Sequence, residues 1–418
     1  MTEQLLQFIW QFQYFNKSNL ITDTGEVLQI INPGNHNKNQ GPDFLNAKIK
    51  IGETILVGSI EIHVNASEWN LHKHSSDGNY NNVILHAVFN NDKNLPLNFP
   101  VLELNSKISA LLLQKYELLM NNRSFIPCEQ QIATVNELTF TSWKQRMFTE
   151  RLQEKAGYII EKLKTCNNHW EEIFWQLLSK NFGTKINSDA FENIASSIPV
   201  SILAKHKNQL LQLEAMLFGQ AGLLDKDFSD TYAVMLKKEY FYLQKKYSFQ
   251  PIHIPTHFLR MRPANFPTIR LSQLAMLVHK SSHLFSIIKE AEDIKDIEKL
   301  FDVSANDYWH YHYVFDEVTN FKIKTLGKQM AQNIIVNTVL PLLYAYGWYN
   351  NDELYIEKAN KWATQLLPEQ NFITKGFKAL NIQNKSSYDS QALIQLKNKY
   401  CNDKKCLQCA VGNSLLKN

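Results

Sequence analysis

Hydrophobic positions in the first third of the chain recur with two periods. Leu5, Phe8, Ile9 and Phe12 fall three or four apart and predict a helix. Four apolar, β-branched runs follow at residues 27–31, 47–51, 55–64 and 83–89 and predict strands. Asn32-Pro33-Gly34-Asn35, Gln40-Gly41-Pro42 and Asp77-Gly78-Asn79 lie between them as turn signals. A second helix is expected over 108–120. The order of helix, three strands, a polar stretch, a fourth strand and a helix predicts an α/β (α+β) region with a short mixed sheet over 1–125. Beyond it, apolar residues return every three or four positions over 143–163, 170–178, 210–217, 232–247, 271–284, 323–346, 354–367 and 388–400. Residues 126–418 therefore read as a large all-α domain, with no fixed-period repeat.

Composition narrows the classes. The 418 residues are 44% hydrophobic and 20% charged, which excludes disorder and fibrous folds. A formal charge of +4 excludes wholesale polybasic binding but not a local basic groove. The longest apolar stretch, 334–346, contains Asn337 and Pro341 and is too short to span a membrane. The polar start at Met1-Thr2-Glu3-Gln4 reads as no signal peptide. Five cysteines are an odd, uneven set rather than a secreted disulfide framework. The expectation is a cytoplasmic protein with no membrane partner.

Candidate chemistry concentrates between residues 35 and 86. Asp43 sits where a turn feeds a strand, and Glu61 follows eighteen positions later within Gly58-Ser59-Ile60-Glu61-Ile62-His63-Val64. Alternation puts Ser59, Glu61 and His63 on one face of that strand. They form either its wet face or, if buried, a carboxylate and an imidazole that need compensation. A divalent cation supplies it: Asp43 and Glu61 are hard oxygen ligands suited to Mg²⁺ or Mn²⁺, and imidazole suits Mn²⁺ or Zn²⁺. Further metal-capable residues, His72, His74, Asp77 and His86, follow closely.

Pro42-Asp43 followed by Glu61-Ile62-His63 resembles the motif of the PD-(D/E)xK nuclease superfamily. The element order of the first 125 residues is similar to that superfamily's core. The resemblance implies a metal-dependent nuclease or phosphodiesterase acting on DNA or RNA. Asp43 and Glu61 would be ligands, helped by the Ile62 carbonyl, and Glu3 would match an additional helical acid. His63 stands where the superfamily carries lysine, as orienter or base. The stretch between His63 and Val83 is short for the helix that normally crosses there. The whole chain also resembles an uncharacterised bacterial family built on a domain of unknown function. That likeness is carried by Gly41-Pro42-Asp43-Phe44, Gly58-Ser59-Ile60-Glu61-Ile62-His63, Val83-Ile84-Leu85-His86-Ala87-Val88 and the segment 401–412. Two other readings stay open: a non-catalytic binding or scaffold protein on a nuclease-like fold, and an unrelated metallohydrolase built on His63, His72, His74 and His86.

Cys401-x4-Cys406-x2-Cys409 has metal-ligand spacing but is one thiolate short of a tetrahedral site, and Cys128 is the best fourth. Zinc or an iron–sulfur cluster would suit; several nucleases of the superfamily hold such a cluster on one distant and three C-terminal cysteines. Free thiols are the alternative. Cys166 reads as a buried mid-helix residue. Arg260, Arg262 and Arg270 lie in one expected loop and suit phosphate contacts, with Phe266 available for stacking; capping and pairing roles suit them equally. No GxxxxGK[ST], GxGxxG or GxSxG motif occurs.

Overall fold

The computed structural model describes every residue except Pro251, His253, Ser282 and Asn418. The first apolar stripe forms helix α1, Glu3–Phe12, whose Thr2 hydroxyl caps the Leu5 N–H. Leu5, Leu6, Phe8, Ile9 and Trp10 are its buried residues, and the helix packs on the sheet that follows.

Seven strands form that sheet: β1 Leu20–Ile21, β2 Val27–Asn32, β3 Asn35–His36, β4 Phe44–Ile51, β5 Thr54–Asn65, β6 Val83–Asn90 and β7 Val101–Glu103. Their order is β1-β2-β4-β5-β6-β7, with β3 paired to β4. The pairs up to β4–β5 are antiparallel, whereas β5–β6 and β6–β7 are parallel. The mixed sheet is as expected; β1, β3 and β7 are two or three residues long, too short to show a period. Gly58 is required where β6 enters. A Cβ there would lie 2.5 Å from Ile84 Cγ2 and 2.6 Å from the Asn82 carbonyl.

The parallel β5–β6 pairing decides the site. Antiparallel neighbours can share a two-residue hairpin, but parallel neighbours need a crossover that passes over one face of the sheet. Residues 66–82 make it with a one-turn helix α2, Glu68–Leu71, and two 3₁₀ turns, His74–Ser76 and Gly78–Tyr80. Buried Trp69 nails it down against Val83, Leu95, Tyr80, Leu97 and Phe99. Ser59, Glu61 and His63 are consequently 6%, 5% and 1% exposed rather than lying on a wet face.

Helix α3, Ala110–Asn121, and then α4, Glu137–Thr165, lead into a largely helical remainder. The chain divides into two units, 1–144 with 396–418, and 145–395. In the second, helices Trp170–Phe182, Leu210–Gln220, Thr231–Tyr247 and Glu353–Gln365 coincide with the expected stretches. Three expectations are corrected. The run 323–346 is irregular at first, then helical over Lys328–Ile334, with a π turn at Ile335–Val339 before Leu340–Asn350. Pro341, at the start of that last helix, has no N–H for the regular ladder, so the preceding turn widens. The helix expected from 271 begins at Pro267, putting Arg270 in a first turn rather than a loop. Cys166 follows α4 and is half-buried. No helix among the described residues is long and apolar enough to cross a membrane.

Candidate metal centre

Asp43 immediately precedes β4, after Gly41 (φ +103°) and Pro42. The β4–β5 register shifts between Phe44 and Ala47, and this bulge lets the strand entrance clasp β5. The Asp43 N–H donates to Glu61 Oε2 at 3.1 Å, and the Ile62 N–H donates to Asp43 Oδ2 at 3.0 Å. From α1, Gln7 Nε2 donates to Asp43 Oδ1 at 2.8 Å and to Glu3 Oε1 at 3.0 Å. Glu3 and Gln7 lie on one helix face, four residues apart. Among the described residues no lysine or arginine pairs with Asp43 or Glu61. Both carboxyls are pushed well above the ordinary range, Asp43 by burial and then by Glu3, Glu61 by burial and then by Asp43.

Imidazoles gather on the same stretch of β5. In register, Glu61 pairs with His86 on β6, and His63 Nδ1 lies 2.9 Å from His86 Nε2. The crossover brings two more: His72 Nδ1 is 3.1 Å from His63 Nε2, and the His74 ring lies over His63 with centroids 5.3 Å apart. Glu61 Oε1 stands 3.5 Å from His63 Nε2 and 3.4 Å from His74 Nε2. Ligand atoms of His63, His72 and His74 all lie within 4.8 Å of one another. Burial, reinforced by His86, His74 and His72, pulls His63 down to about 2; burial and His74 pull His86 down to about 4. Both rings are neutral at ordinary pH, the form in which imidazole binds metal. His74 Nε2 is buried without a hydrogen-bond partner, which suits a nitrogen meant for a cation.

The structure thus brings Asp43, Glu61, His63, His72, His74 and His86 into one neighbourhood. The Asp77 carboxylate accepts from the Asn79 N–H and Nδ2, each at 2.9 Å, and caps the turn Gly78–Tyr80. Gln7, Trp69 and Tyr80 were not singled out by sequence reasoning. Tyr80 lies on the His74 ring at 3.9 Å. The aromatic pair flanking a polar, histidine-bearing crossover was the available signal. Cys128, Cys401, Cys406 and Cys409 all belong to the first unit. In the second unit Arg260 and Arg262 are exposed, whereas Arg270 is 6% exposed. Its guanidinium donates to Gln273 at 2.9 Å and Asn265 at 2.5 Å, so neutral amides hold it where acids were one expectation. Phe266 is half-buried edge-on to Phe258 and Tyr313.

No curated protein and no solved structure matches the chain. A family model described as "Protein of unknown function (DUF2851)" matches residues 3–372, which takes in the whole acid–histidine neighbourhood and stops short of Cys401. The chain belongs to the DUF2851 family.

Proposed function

We propose that this chain is a metal-dependent phosphodiester hydrolase acting on nucleic acid. Its cation would be held by Glu61, His63, His72 and His74, with Asp43 as the adjoining carboxylate. The observation that carries the reading is the convergence of three imidazoles and Glu61 on a buried strand where, among the described residues, no lysine or arginine balances two carboxylates. Such a donor set fits Zn²⁺ or Mn²⁺ better than Mg²⁺, which prefers oxygen ligands. The phosphodiester part rests on the likeness of Pro42-Asp43 and Glu61-Ile62-His63 to the nuclease motif.

When bound, a divalent cation supplies Lewis acidity that polarises a phosphate and makes water a better nucleophile. The chain's residues do the rest. Glu61 and His63 form the buried floor, and exposed His72 marks the side open to a polymer. His86 holds the His63 ring through Nδ1, so that Nε2 presents its lone pair. Gln7 and the Ile62 N–H fix the Asp43 carboxylate. In the position of the superfamily's lysine, His63 stays neutral and serves as a ligand rather than a fixed positive charge.

The test is cleavage of labelled single- and double-stranded DNA and RNA by the full chain with Mn²⁺, Zn²⁺ or Mg²⁺. Chelator-sensitive cleavage is expected, lost in Asp43→Asn, Glu61→Gln and His63→Ala proteins that keep the wild-type melting temperature. Absence of cleavage by folded, metal-loaded chain, or equal turnover in wild type and variants, overturns the reading.

A further inference from the structure

We propose that the second unit holds a binding site for a small organic anion, a carboxylate or phosphate carried on an apolar body, in a cavity where Lys155 receives the charge. The cavity, about 590 Å³ in volume, is of the size that takes small molecules. It is lined from α4, from the helices Trp170–Phe182 and Thr184–Ser197, and from the stretch 328–350 with its π turn. Ile159, Leu177, Met330 and Pro341 give it an apolar wall. Among the described residues that line it, Lys155, Lys180 and Lys185 set three cations against one acid, Glu154, so the cavity favours a negative ligand.

Lys155 is the cation that lacks a counter-charge. Lys180 pairs with Glu192 at 2.7 Å, and Lys185 is exposed to solvent. Lys155 is half-buried, and among the described residues its Nζ meets amides alone, donating to Asn337 Oδ1 at 2.9 Å and to Gln391 Oε1 at 3.3 Å. The same Gln391 oxygen accepts from Arg151 Nε, so two cations share one neutral amide that is 4% exposed. Glu369 is reached through that amide, whose Nε2 donates to it. An ammonium has three donors, and these contacts use two. An anion in the cavity takes the third and offsets two positive charges that disfavour each other. The π turn Ile335–Val339 supplies the fixing group. Asn337 Nδ2 donates back to the Asn333 carbonyl at 3.1 Å and to Asn333 Oδ1 at 2.7 Å, which turns Asn337 Oδ1 to Lys155. From another wall, Asn181 Nδ2 donates to the Thr338 hydroxyl of the same turn. A π turn gives up regular ladder geometry and recurs at functional sites; here it delivers the amide that holds the ammonium at the cavity wall.

Carboxylate and phosphate share this chemistry, and the assay separates them. Full chain is titrated calorimetrically with benzoate and with phenyl phosphate, which place the two head groups on one ring, and with benzyl alcohol as the uncharged counterpart. Chelator is present throughout, so that no metal-held anion contributes. At least one of the anions is expected to bind with a Kd below about 1 mM, and benzyl alcohol at least about tenfold more weakly. The tighter anion identifies the head group. Lys155→Met should weaken that anion about 10- to 100-fold, the range for losing a hydrogen bond to a charged group, and Lys185→Met by no more than about fivefold. In wild type, the bound anion should protect Lys155 from acylation by an N-hydroxysuccinimide ester, read by peptide mass spectrometry, so the proposal stays testable if Lys155→Met misfolds. Three results overturn it: neither anion binding below about 1 mM, benzyl alcohol binding as tightly as the anions, or binding that leaves Lys155 acylation unchanged. The proposed hydrolase stands or falls separately, since its residues lie in the first unit.

Discussion

Replacing Trp69 by alanine should loosen the histidine crossover without removing a single proposed metal ligand. Trp69 is 2% exposed and its ring meets those of His74, Tyr80, His86 and Phe99 at 5.0–5.8 Å. Truncating a buried Trp costs about 3–5 kcal/mol, to which the lost bond from Nε1 to Ser75 Oγ at 2.8 Å contributes about 1 kcal/mol. Trp69→Phe, which keeps most of the ring packing, should lose no more than about half of this. The crossover is also pinned at its entrance, where Glu68 accepts from the N–H groups of Val64 and Asn65 at 3.1 and 3.3 Å. Docking of His72 and His74 is therefore weakened rather than abolished. Since about 1.4 kcal/mol is a factor of ten, metal affinity should fall about ten- to hundredfold through the smaller docked population. Urea denaturation followed by circular dichroism gives the first quantity, and competition against a chelator of known affinity gives the second. A loss of stability with unchanged metal affinity would show that the crossover does not position the ligands. A stability loss below about 1 kcal/mol would remove Trp69 from the core.

His86→Phe deletes the group that orients His63 Nδ1 and should lower metal affinity about 10- to 100-fold in the same competition assay; unchanged affinity would dismiss the orienting role. Gly58→Ala forces a methyl against Ile84 and the Asn82 carbonyl and should cost about 1–3 kcal/mol in urea, and an unchanged midpoint would refute that close approach. In the second unit, burial and then Arg151 pull the Lys155 ammonium down to about 7, although Asn337 Oδ1 accepts from it at 2.9 Å. The unfolded chain keeps that proton until about 10.4, so it binds more protons than the folded chain between those values. This group's contribution to stability therefore rises with pH across that window, and the slope should be missing in Lys155→Met. Parallel stability–pH curves for the two proteins would count against it.

The amino-acid sequence alone determined the local elements. Period-two runs became β2, β4, β5 and β6, and period-three-to-four runs became helices, because burying one face of each element is decided by residues near one another. It also set the inventory of chemistry, with Asp43, Glu61 and His63 at strand positions and four cysteines in two distant places. Irregularities with a local cause were partly legible: Pro341 was visible in the sequence, while the π turn it brings depends on the surrounding helix staying packed.

Only the tertiary structure decided what those residues face. Alternation along β5 left Glu61 and His63 either wet or buried, since one strand does not reveal whether its second face is covered. The parallel pairing with β6 settled it by forcing residues 66–82 across that face, which carries His72 and His74 to His63 and leaves Asp77 capping its own turn. Arg270 read equally as a phosphate ligand or a capping and pairing group in a loop, and its helix begins three residues earlier and seals it among amides. Cys128 shares a unit with Cys401, Cys406 and Cys409 because 396–418 returns to the first unit across more than 250 residues. Strand direction, register and the return of a distant segment are set by the burial of the whole unit, a sum over contacts between residues far apart in the chain. A periodicity read a few residues at a time does not contain that sum.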